Sequence, residues 1–367
     1  MGNNKLRPIA IYLPQFHPIP ENDSWWGKGF TEWTNVAKAK PLFKKHYQPH
    51  IPADLGFYDL RLAESRKAQA EMAKKFGIHG FCYYHYWFNG RRILERPFQE
   101  VFDSKEPDFP FMLCWANENW TKVWDGNSKE VLLEQKYSRE DDIEHIKYLL
   151  PYLKDSRYIK VDGKPVIAIY KSGLLPNVDE TIKVWREEAA KENVELYICR
   201  FDCHNFVGEE FVTPNFDATI DFQPFGSSFK AYQKTRVAKR GASFLFRKLF
   251  GISKVGDLLS NRIDYGDYVN FVTKYKKPTY KLFPGISPMW DNSARKKKNY
   301  FMLTGSTPNL YQKWLDYIIS TFKPYSKEEN FIFINAWNEW AEGNHLEPCQ
   351  KWGTQYLEKT KESLDKL

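Results

Sequence analysis

The stretch Phe331-Ile-Phe-Ile-Asn-Ala-Trp-Asn-Glu-Trp-Ala-Glu-Gly343 joins an apolar run to a polar, tryptophan-rich turn. Its first four residues are strong β-formers with no polar residue among them, a pattern that predicts a short buried strand. The carboxylates Glu339 and Glu342 then follow three residues apart, framed by Trp337 and Trp340. If that turn is helical, the two carboxylates are neighbours. The stretch therefore predicts a strand whose end carries paired acids beside aromatic surface.

Apolar, strand-like runs of this kind recur along the chain and alternate with amphipathic stretches. The predicted strands are Pro8–Gln15, Gly80–Phe88, Phe109–Trp115, Pro165–Tyr170, Leu196–Phe201, Ala218–Phe222, Pro284–Met289 and Phe331–Trp337. The predicted helices are Leu60–Phe76, Arg92–Val101, Arg139–Leu153, Asp179–Glu192, Tyr268–Tyr275, Leu310–Phe322 and Gln355–Lys366. Eight buried strands interleaved with helices indicate an α/β protein with a parallel sheet, and eight strands close a (β/α)8 TIM barrel.

The alternative to a barrel is a doubly wound open sheet. Such a fold usually carries a glycine-rich phosphate-binding turn after its first strand. Here that strand ends in Leu13-Pro-Gln-Phe-His-Pro18, which contains no glycine. A length of 367 residues also suits a barrel with insertions. We therefore predict a single (β/α)8 domain over residues 1–367.

The positive charge of the chain is concentrated in one segment. The net charge is +8, and residues 225–282 hold thirteen Lys or Arg against three Asp, so this segment carries +10 and the remainder −2. The part from about 225 to 265 is also weakly patterned, which predicts a basic insertion after strand six. Within it, Ser243–Ile252 is interpreted as a solvated loop that packs its own Phe and Leu residues, with contact to an anionic membrane surface or to a phosphate-bearing glycolipid as the alternative. Because the basic residues are confined to one loop, nucleic acid is not an expected partner.

Targeting signals and cysteine pairs give no indication of export. Residues 1–8 contain no apolar signal region, and no run approaches the roughly 20 apolar residues of a membrane span. The five cysteines form no Cys-x-x-Cys pair, and Cys82, Cys114 and Cys199 lie in apolar runs. We therefore expect a reduced, cytoplasmic protein, with peripheral contact at the inner membrane face open through the basic insertion.

Polar and aromatic residues crowd the ends of the predicted strands. In a (β/α)8 enzyme the reacting groups gather at the C-terminal ends of the strands and in the loops that follow. The candidates for substrate contact there are Gln15, His17, Trp33, Tyr84, His85, Trp87, Trp115, Asn117, Glu118, Asp202, Trp290, Trp337 and Glu347. Aromatic rings stack on the C–H faces of sugars, so this set suits a carbohydrate, although most rings of the chain are expected to fill its core.

Glu339 and Glu342 are the candidate catalytic pair. Cleavage or transfer of a glycosidic bond typically uses two carboxyl groups, which lie about 5–5.5 Å apart in retaining enzymes. Close carboxylates push their pKa values apart, which helps to keep one of them protonated at neutral pH. The alternative is that Glu339 bridges the barrel rim and Glu342 is a solvated charge. Glu118, in a second Asn-Glu dipeptide, is assigned to substrate hydroxyls or to structural bridging.

The sequence predicts neither a metal site nor a nucleotide site. His17, His85, His204 and His345 lie at strand ends, but their spacing does not match H-E-x-x-H or another compact ligand set. The P-loop, the G-x-G-x-x-G turn and the Asp-x-Asp motif are also absent from the sequence. The run Arg295-Lys-Lys-Lys298 is interpreted as a solvated charge cluster, with an acidic substrate as the alternative. We expect no metal and no cofactor.

Five motifs, in this order, resemble those of the WbsX-type proteins. They are Pro8-Ile-Ala-Ile-Tyr-Leu-Pro-Gln-Phe-His17, Trp26-Gly-Lys-Gly-Phe-Thr-Glu-Trp-Thr-Asn35, Gly80-Phe-Cys-Tyr-Tyr-His-Tyr-Trp87, Cys114-Trp-Ala-Asn-Glu-Asn-Trp120 and Asn335-Ala-Trp-Asn-Glu-Trp-Ala-Glu-Gly343. WbsX-type proteins occur in polysaccharide-biosynthesis clusters and carry a domain similar to glycoside hydrolase family ninety-nine. The resemblance spans residues 8 to 350.

The resemblance implies a retaining, metal-free (β/α)8 enzyme directed at α-mannans that works through a 1,2-anhydro sugar. On the E-W-x-E motif it implies that Glu339 is the base for the sugar's 2-hydroxyl and Glu342 the acid/base for the leaving group. The secreted hydrolases of that family have export signals, and the basic insertion looks foreign to them. The resemblance therefore implies the chemistry and leaves the substrate open.

These observations together predict an enzyme that makes or breaks α-glycosidic, mannose-like bonds with retention. Its expected substrate is an oligosaccharide or glycolipid in surface-polysaccharide or lipopolysaccharide assembly. One alternative is a cytoplasmic retaining glycoside hydrolase of the endo-α-mannosidase type. The other is a non-catalytic glycan-binding barrel, for which the carboxylates would be dispensable.

Overall fold

Within residues 6–124, 128–236, 261–296 and 299–367, which the computed structural model describes, eight parallel strands form a barrel. They are β1 (Arg7–Tyr12), β2 (Gly80–Phe88), β3 (Phe111–Trp115), β4 (Lys164–Ile169), β5 (Tyr197–Asp202), β6 (Ala218–Asp221), β7 (Leu282–Phe283 with Gly285–Ile286) and β8 (Phe331–Ile334). Consecutive strands pair in parallel, and β8 returns to β1 with Phe331 opposite Arg7. The predicted α/β barrel is therefore confirmed.

Strand β7 is divided by Pro284. Its first piece pairs with β6, where Leu282 lies opposite Thr219, and its second pairs with β8, where Gly285 lies opposite Phe333. Proline has no N–H to donate to a strand ladder, so the pairing breaks at that residue. The Pro284 carbonyl oxygen still accepts from the Phe333 N–H at 2.9 Å. The barrel thus closes, apart from this interruption.

Helices surround the barrel. They are α1 (Pro20–Trp26), α2 (Glu32–Lys38), α3 (Ala63–Lys75), α4 (Arg96–Ser104), α5 (Arg139–Leu153), α6 (Val178–Ala190), α7 (described over residues 227–236), α8 (Tyr265–Val272), α9 (Pro308–Thr321) and α10 (Gln355–Leu364). Helix α5 has the predicted bounds, whereas α1, α2 and α7 were not predicted. Both α1 and α2 have seven residues, too few for a clear helical period. No helix of the described ranges is both long and apolar enough to cross a membrane.

The predicted basic insertion lies only partly within the described residues. Its first part forms α7, and its last part forms a short strand, Arg262–Asp264, that leads into α8. That strand pairs with Met302–Thr304, which in turn pairs antiparallel with Trp290–Asp291 at the rim beyond β7. The Ser243–Ile252 segment, for which membrane contact was considered, lies outside the described residues.

The core lies inside the barrel wall and between the wall and the helices. All four residues of β8 are buried, and the ring of Phe333 meets that of Phe201 on β5 at 6.2 Å. The helices contribute fully buried indoles, including Trp185 on α6 and Trp314 on α9. Each large apolar side chain that leaves water in this way contributes about 1.5–3 kcal/mol. This packing makes the barrel a rigid frame for the loops at its rim.

Candidate active site

The two candidate acids lie in one tight turn beyond β8. Residues Asn338–Glu339 pair antiparallel with Asn344–His345, and the 3-10 turn Trp340–Glu342 closes the resulting hairpin. The expected helical turn is therefore present, in its 3-10 form. Glu339 is the last paired residue before this turn and Glu342 is the turn's last residue, so the hairpin fixes the positions of both carboxylates.

Asn338 ties this hairpin to the barrel. Its side-chain Oδ1 accepts from the Leu13 N–H at 2.8 Å, and its Nδ2 donates to the Leu13 carbonyl oxygen at 3.0 Å. The same Nδ2 also donates to the Tyr58 hydroxyl at 3.2 Å. The amide thus continues the pairing of β1 beyond the end of the strand. Because Glu339 is the next residue, this bond set helps to fix the first acid.

Arg295 joins the two acids to a third carboxylate. Its Nη1 lies 2.8 Å from Glu342 Oε1, and its Nη2 lies 3.3 Å from Glu339 Oε2. The same Nη2 lies 3.2 Å from Oε2 of Glu32, a buried residue at the start of α2. The contacts to Glu342 and Glu339 are charge-assisted hydrogen bonds, which set both distance and orientation, whereas the contact to Glu32 is an ion pair without hydrogen-bond geometry. The four side chains therefore form one connected acid cluster, defined here as Glu32, Arg295, Glu339 and Glu342.

The acid cluster retains a proton near neutral pH. Burial, then the neighbouring Glu342, raises the pKa of Glu339 to about 8, although Arg295 opposes the shift. Burial also raises the pKa of Glu342, again against the charge of Arg295. For Arg295 burial disfavours the charge, but Glu32, Glu342 and Glu339 outweigh it and raise the pKa well above its ordinary value. A permanent cation thus faces a carboxylate pair that can both give and take a proton.

Tyr84 and Tyr86 of β2 face the acid cluster. Burial raises the pKa of both phenols well above its ordinary value, and the Glu339 carboxylate is among the charges that raise it further. Tyr84 was predicted to contact substrate and is brought to the acids. Tyr86 was not predicted, although it follows from the alternation of a strand, in which residues two apart share a face.

The same alternation directs His85, Trp87 and Trp115 away from the acid cluster. His85 Nε2 lies 2.9 Å from Nε2 of His145 on α5, and the Trp87 ring stacks on His145 with centroids 4.8 Å apart. Trp115 is fully buried and meets Trp185 of α6 at 5.7 Å. These rings fill the layer between the barrel wall and the helices. The structure therefore does not bring these three predicted residues to the site.

Glu347 and Trp337 also lie inside the protein, between the barrel wall and α3. Glu347 accepts hydrogen bonds from Tyr58 Oη at 2.9 Å, Gln69 Nε2 at 2.7 Å and Trp340 Nε1 at 2.6 Å. Burial raises its pKa to about 7. Trp337 is fully buried against Phe81, with ring centroids 5.1 Å apart. Both side chains pack against the buried side of the hairpin that carries Glu339 and Glu342, and neither faces a cleft.

Asp202 and Trp290 are held by protein groups as well. The fully buried Asp202 pairs with Arg200, whose Nη1 lies 3.2 Å from its Oδ1, and accepts from Tyr280 Oη at 2.8 Å. The buried Trp290 meets Phe225 edge-on at 4.7 Å. These contacts give both residues a packing role at the rim, and the structure does not join them to the acid cluster.

The candidates that follow β1 line the entry to α2. The half-buried Gln15 accepts the Glu32 N–H on its backbone carbonyl at 3.2 Å. His17 is buried with Nδ1 3.0 Å from the Pro14 carbonyl oxygen, and burial lowers its pKa to about 4. The half-buried Trp33 meets Trp340 of the 3-10 turn with ring centroids 5.5 Å apart. Gln15 and Trp33 thus border the acid cluster, whereas His17 is a neutral interior histidine.

The second Asn-Glu dipeptide repeats the arrangement of the first at another strand end. Asn117 accepts from the Lys171 N–H at 2.7 Å and donates to the Lys171 carbonyl oxygen at 2.9 Å, just beyond β4. Glu118 forms an ion pair with the Lys171 ammonium, and its side chain is 41% exposed. Its charge is among those that raise the pKa of Glu342. Glu118 is therefore an accessible acid near the cluster, and Asn117 is a clamp.

The described residues contain no group of three or more His, Cys, Asp or Glu side chains arranged to hold a metal ion. Among the histidines considered for such a role, His345 Nε2 lies 2.9 Å from His50 Nδ1, and the His204 ring stacks on Phe225 at 4.6 Å. Imidazoles used in this way serve packing and hydrogen bonding.

Glu32 and Arg295 were not assigned to the site from the sequence. Arg295 was grouped with the lysines that follow it as a solvated run, yet its contacts join its own loop to α2 and to the hairpin of Glu339 and Glu342. The sequence did contain one indication that Arg295 lies near the site, because Arg295 comes shortly after Trp290 and Asp291 at the end of the predicted seventh strand. Glu32 likewise lies within the Trp26–Asn35 motif.

Comparison with known proteins bears on the whole length of the chain. The profile of the family described as Glycosyltransferase WbsX matches residues 8–360. Two relatives, each described as "Uncharacterized protein WxcX" and each from Xanthomonas campestris pv. campestris, are 36% identical to this chain over 361 residues. The matches cover 97% of this chain and 49% of each relative. The chain thus spans about half the length of the curated relatives it matches.

Solved structures share the barrel at low sequence identity. A glycoside hydrolase-like protein superposes with a TM-score of 0.60 at 14% identity, covering 99% of this chain and 94% of the other. A GH99 endo-alpha-mannosidase from Bacteroides thetaiotaomicron, in complex with BIS-TRIS-propane, gives a TM-score of 0.55 at 14% identity, covering 100% and 98%. At this level of identity the likeness concerns the fold.

Proposed function

The chain belongs to the WbsX glycosyltransferase family, a family of carbohydrate-active proteins, and on that premise we propose that it transfers an α-linked, mannose-like sugar with retention. Glu339 and Glu342 are the proposed acid and base. The observation that carries the proposal is the bridge that one guanidinium, Arg295, makes between these two carboxylates. A buried pair that shares a proton is what acid–base chemistry on a glycosidic bond requires.

The proposed reaction has two balanced steps. In the first, Glu339 takes the proton of the sugar's 2-hydroxyl, O2 attacks C1, the bond from C1 to the leaving oxygen breaks, and Glu342 protonates that oxygen. The product is a 1,2-anhydro sugar. In the second, Glu342 takes the proton of an acceptor hydroxyl, the acceptor oxygen attacks C1, the bond from C1 to O2 breaks, and O2 recovers its proton from Glu339. Two inversions at C1 give net retention.

The exposures of the two carboxylates support this division of roles. The Glu342 side chain is 19% exposed and that of Glu339 is 7% exposed. A group that meets first a leaving oxygen and then an incoming acceptor needs access from outside. A group that meets only the 2-hydroxyl of the bound sugar does not. The more accessible Glu342 therefore suits the acid/base, and the deeper Glu339 suits the base.

The acceptor decides whether the reaction is transfer or hydrolysis. We propose that it is another sugar of an oligosaccharide or glycolipid in surface-polysaccharide assembly, because the family is one of glycosyltransferases. Nothing in the proposed steps forbids water as the acceptor, in which case the same residues would hydrolyse the bond. The two outcomes differ only in which hydroxyl reaches C1 first.

The test is to incubate the purified protein with α-mannose-configured oligosaccharides in ¹⁸O-labelled water, with and without acceptor sugars. Mass spectrometry separates transfer products from ¹⁸O-labelled hydrolysis products, and proton NMR reads the first anomer formed. We expect retained transfer products. Glu339→Gln and Glu342→Gln are each expected to lower the rate by about 10²–10⁴-fold without loss of glycan binding.

Glu100→Gln is the matched control, because Glu100 pairs with Arg66 and Arg96 on the outer helices. It makes the same chemical change away from the site and should leave the rate unchanged. Full activity in Glu342→Gln would overturn the proposed acid. Glycan binding without any turnover in the wild-type protein would favour a glycan-binding barrel instead.

A further inference from the structure

The acid cluster contains one carboxylate more than the proposed reaction uses. Glu339 and Glu342 suffice for the chemistry, yet the buried Glu32 reaches the same guanidinium from α2. A buried carboxylate without a partner is costly, so its place opposite Arg295 calls for a reason. In the ligand-free protein, Glu32 helps to set the position of the Arg295 cation relative to Glu339 and Glu342, and this supplies the reason.

We propose that Arg295, anchored by Glu32, is a positioning residue that decides which of Glu339 and Glu342 is ionised. The proposal rests on the function proposed above and assigns it a further part. Arg295 does not touch the reacting atoms in this role; it acts through the two acids.

The geometry divides the guanidinium unequally between the acids. Nη1 is directed at Glu342 at 2.8 Å, whereas Nη2 is shared between Glu339 at 3.3 Å and Glu32 at 3.2 Å. The closer, unshared contact favours the ionised form of Glu342. Glu339 has the longer contact, and it is made by a nitrogen that also lies close to Glu32. Its ionised form is therefore stabilised less, and Glu339 keeps the proton. The pKa of about 8 for Glu339 agrees with this order.

The proposed first step needs the reverse order, with Glu339 ionised and Glu342 protonated. A small shift of the guanidinium toward Glu339, along its contact with Glu32, would produce that order without breaking the anchor. Arg295 directly follows the 3-10 turn Asn292–Ala294, and its side chain is 32% exposed. A sugar that enters between the acids would contact this side chain. Binding of the sugar would thereby leave Glu339 ionised and Glu342 protonated, as the first step requires.

Other charged groups around the pair act in known directions. Lys296 lowers the pKa of Glu342 and so supports its ionisation, whereas Glu118 raises that pKa. From β2 the phenols of Tyr84 and Tyr86 face Glu339, and both stay protonated because burial raises their pKa values. Tyr170, which directly follows β4, is buried, and burial raises its pKa well above the ordinary value, so it is neutral as well. None of these groups contacts both acids, as Arg295 does.

The experiment is an NMR titration of the ligand-free protein labelled with ¹³C at the glutamate carboxyl carbon. Glu339→Gln and Glu342→Gln identify the two resonances by their disappearance. In the wild-type protein we expect Glu342 to ionise at lower pH than Glu339. In Arg295→Met both midpoints should rise by about one unit or more, and that of Glu342 should rise further. In Glu32→Gln the midpoint of Glu339 should fall, because Nη2 is no longer shared.

Removal of either charge moves the midpoints whatever its role, so the readout that separates positioning from mere charge is the gap between the two midpoints in Arg295→Lys, which keeps the charge and loses the fork. Thermal unfolding checks that each variant is folded, and Glu100→Gln is the control for a distant charge change. Arg295→Lys should narrow the gap between the two midpoints, and it also serves if Arg295→Met does not fold. Unmoved midpoints, an unchanged gap in Arg295→Lys, or a wild-type Glu342 that ionises after Glu339, would overturn the proposal. The titration uses no substrate, so absence of turnover would contradict the proposed function and leave this result standing.

Discussion

Gly343 lies directly against the backbone of Asp291. A Cβ atom added to Gly343 would lie 2.9 Å from the Asp291 carbonyl oxygen and 3.2 Å from its amide nitrogen. Asp291 cannot retreat easily, because His46 Nε2 lies 2.6 Å from its carboxylate and Gln48 Nε2 donates to it at 2.9 Å. The absence of a side chain at Gly343 thus sets the position of the turn that carries Glu342.

Gly343→Ala should therefore reduce both stability and turnover. Gly343 has a φ of +52°, and an L-residue there costs about 1–2 kcal/mol. Overpacking against Asp291 adds about 1–3 kcal/mol. Gly353→Ala is the matched control, since Gly353 has a φ of +51° and nothing lies within 4 Å of an added Cβ. Urea unfolding should show the larger loss for Gly343→Ala, and equal losses would contradict the steric argument.

Asn338→Ala should uncouple the hairpin that carries Glu339 and Glu342 from β1. The change removes the partners of both backbone polar groups of Leu13, which costs about 1–3 kcal/mol for each buried group left without a partner. Asn117→Ala removes the equivalent clamp on Lys171 and should cost a similar free energy of unfolding. Initial rates distinguish the two, because only Asn338 precedes Glu339. A larger loss of rate in Asn117→Ala would point to Glu118 as the more important acid.

The activity should decline as pH rises through about 8. Burial, and after it the charge of Glu342, raises the pKa of Glu339 to about 8. Above that pH the pair has lost its last proton, so no acid remains for the leaving oxygen. The measurement is kcat/KM against pH, with Glu100→Gln expected to follow the wild-type profile. A rate that keeps rising above this pH would show that a protonated carboxyl is not required.

Glu347 should make the protein less stable as pH rises. Burial raises its pKa from 4.5 in the unfolded chain to about 7 in the folded protein. Between those values the unfolded chain releases a proton that the folded protein keeps, so the contribution is complete below 4.5 and lost by about 7. Its size is at most about 3 kcal/mol. Glu347→Gln carries no such proton.

The free energy of unfolding of Glu347→Gln, relative to wild type, should thus increase from acid to neutral pH. Urea unfolding at both ends of that range measures this difference. Identical pH slopes for the two proteins would show that Glu347 is ionised inside the fold.

The fold was predictable because its signal is local. Each barrel strand is a short run of β-formers, and the helices between them carry their own apolar period, so Gly80–Phe88 and Arg139–Leu153 have the predicted bounds. The split of β7 at Pro284 was not predicted. The cause of the split, a proline without an N–H, is also local. Where the strand divides depends on the neighbouring strand with which each of its two pieces pairs.

The candidate site was predictable only in part. Glu339 and Glu342 share one turn, so their spacing in the chain already makes them neighbours. His85 and Trp87 were assigned to the site because they lie at a strand end, yet strand alternation directs them to α5. Tyr84 and Tyr86, on the opposite face of the same strand, are instead close enough to Glu339 for its charge to raise the pKa of both phenols. The position of a residue along a strand predicts that it lies near the rim of the barrel. The face of the strand on which it lies decides whether its side chain contacts the site or the surrounding helices.

By itself, the sequence determined the barrel, the acid pair and the strand ends at which a site would form, because each of these follows from residues close together in the chain. Only the tertiary structure decided which charges meet there. Glu32 and Arg295 are 263 positions apart and join Glu339 and Glu342 through one guanidinium. The protonation of an acid depends on the distance to every nearby charge and on its burial, and neither quantity exists until the barrel has closed.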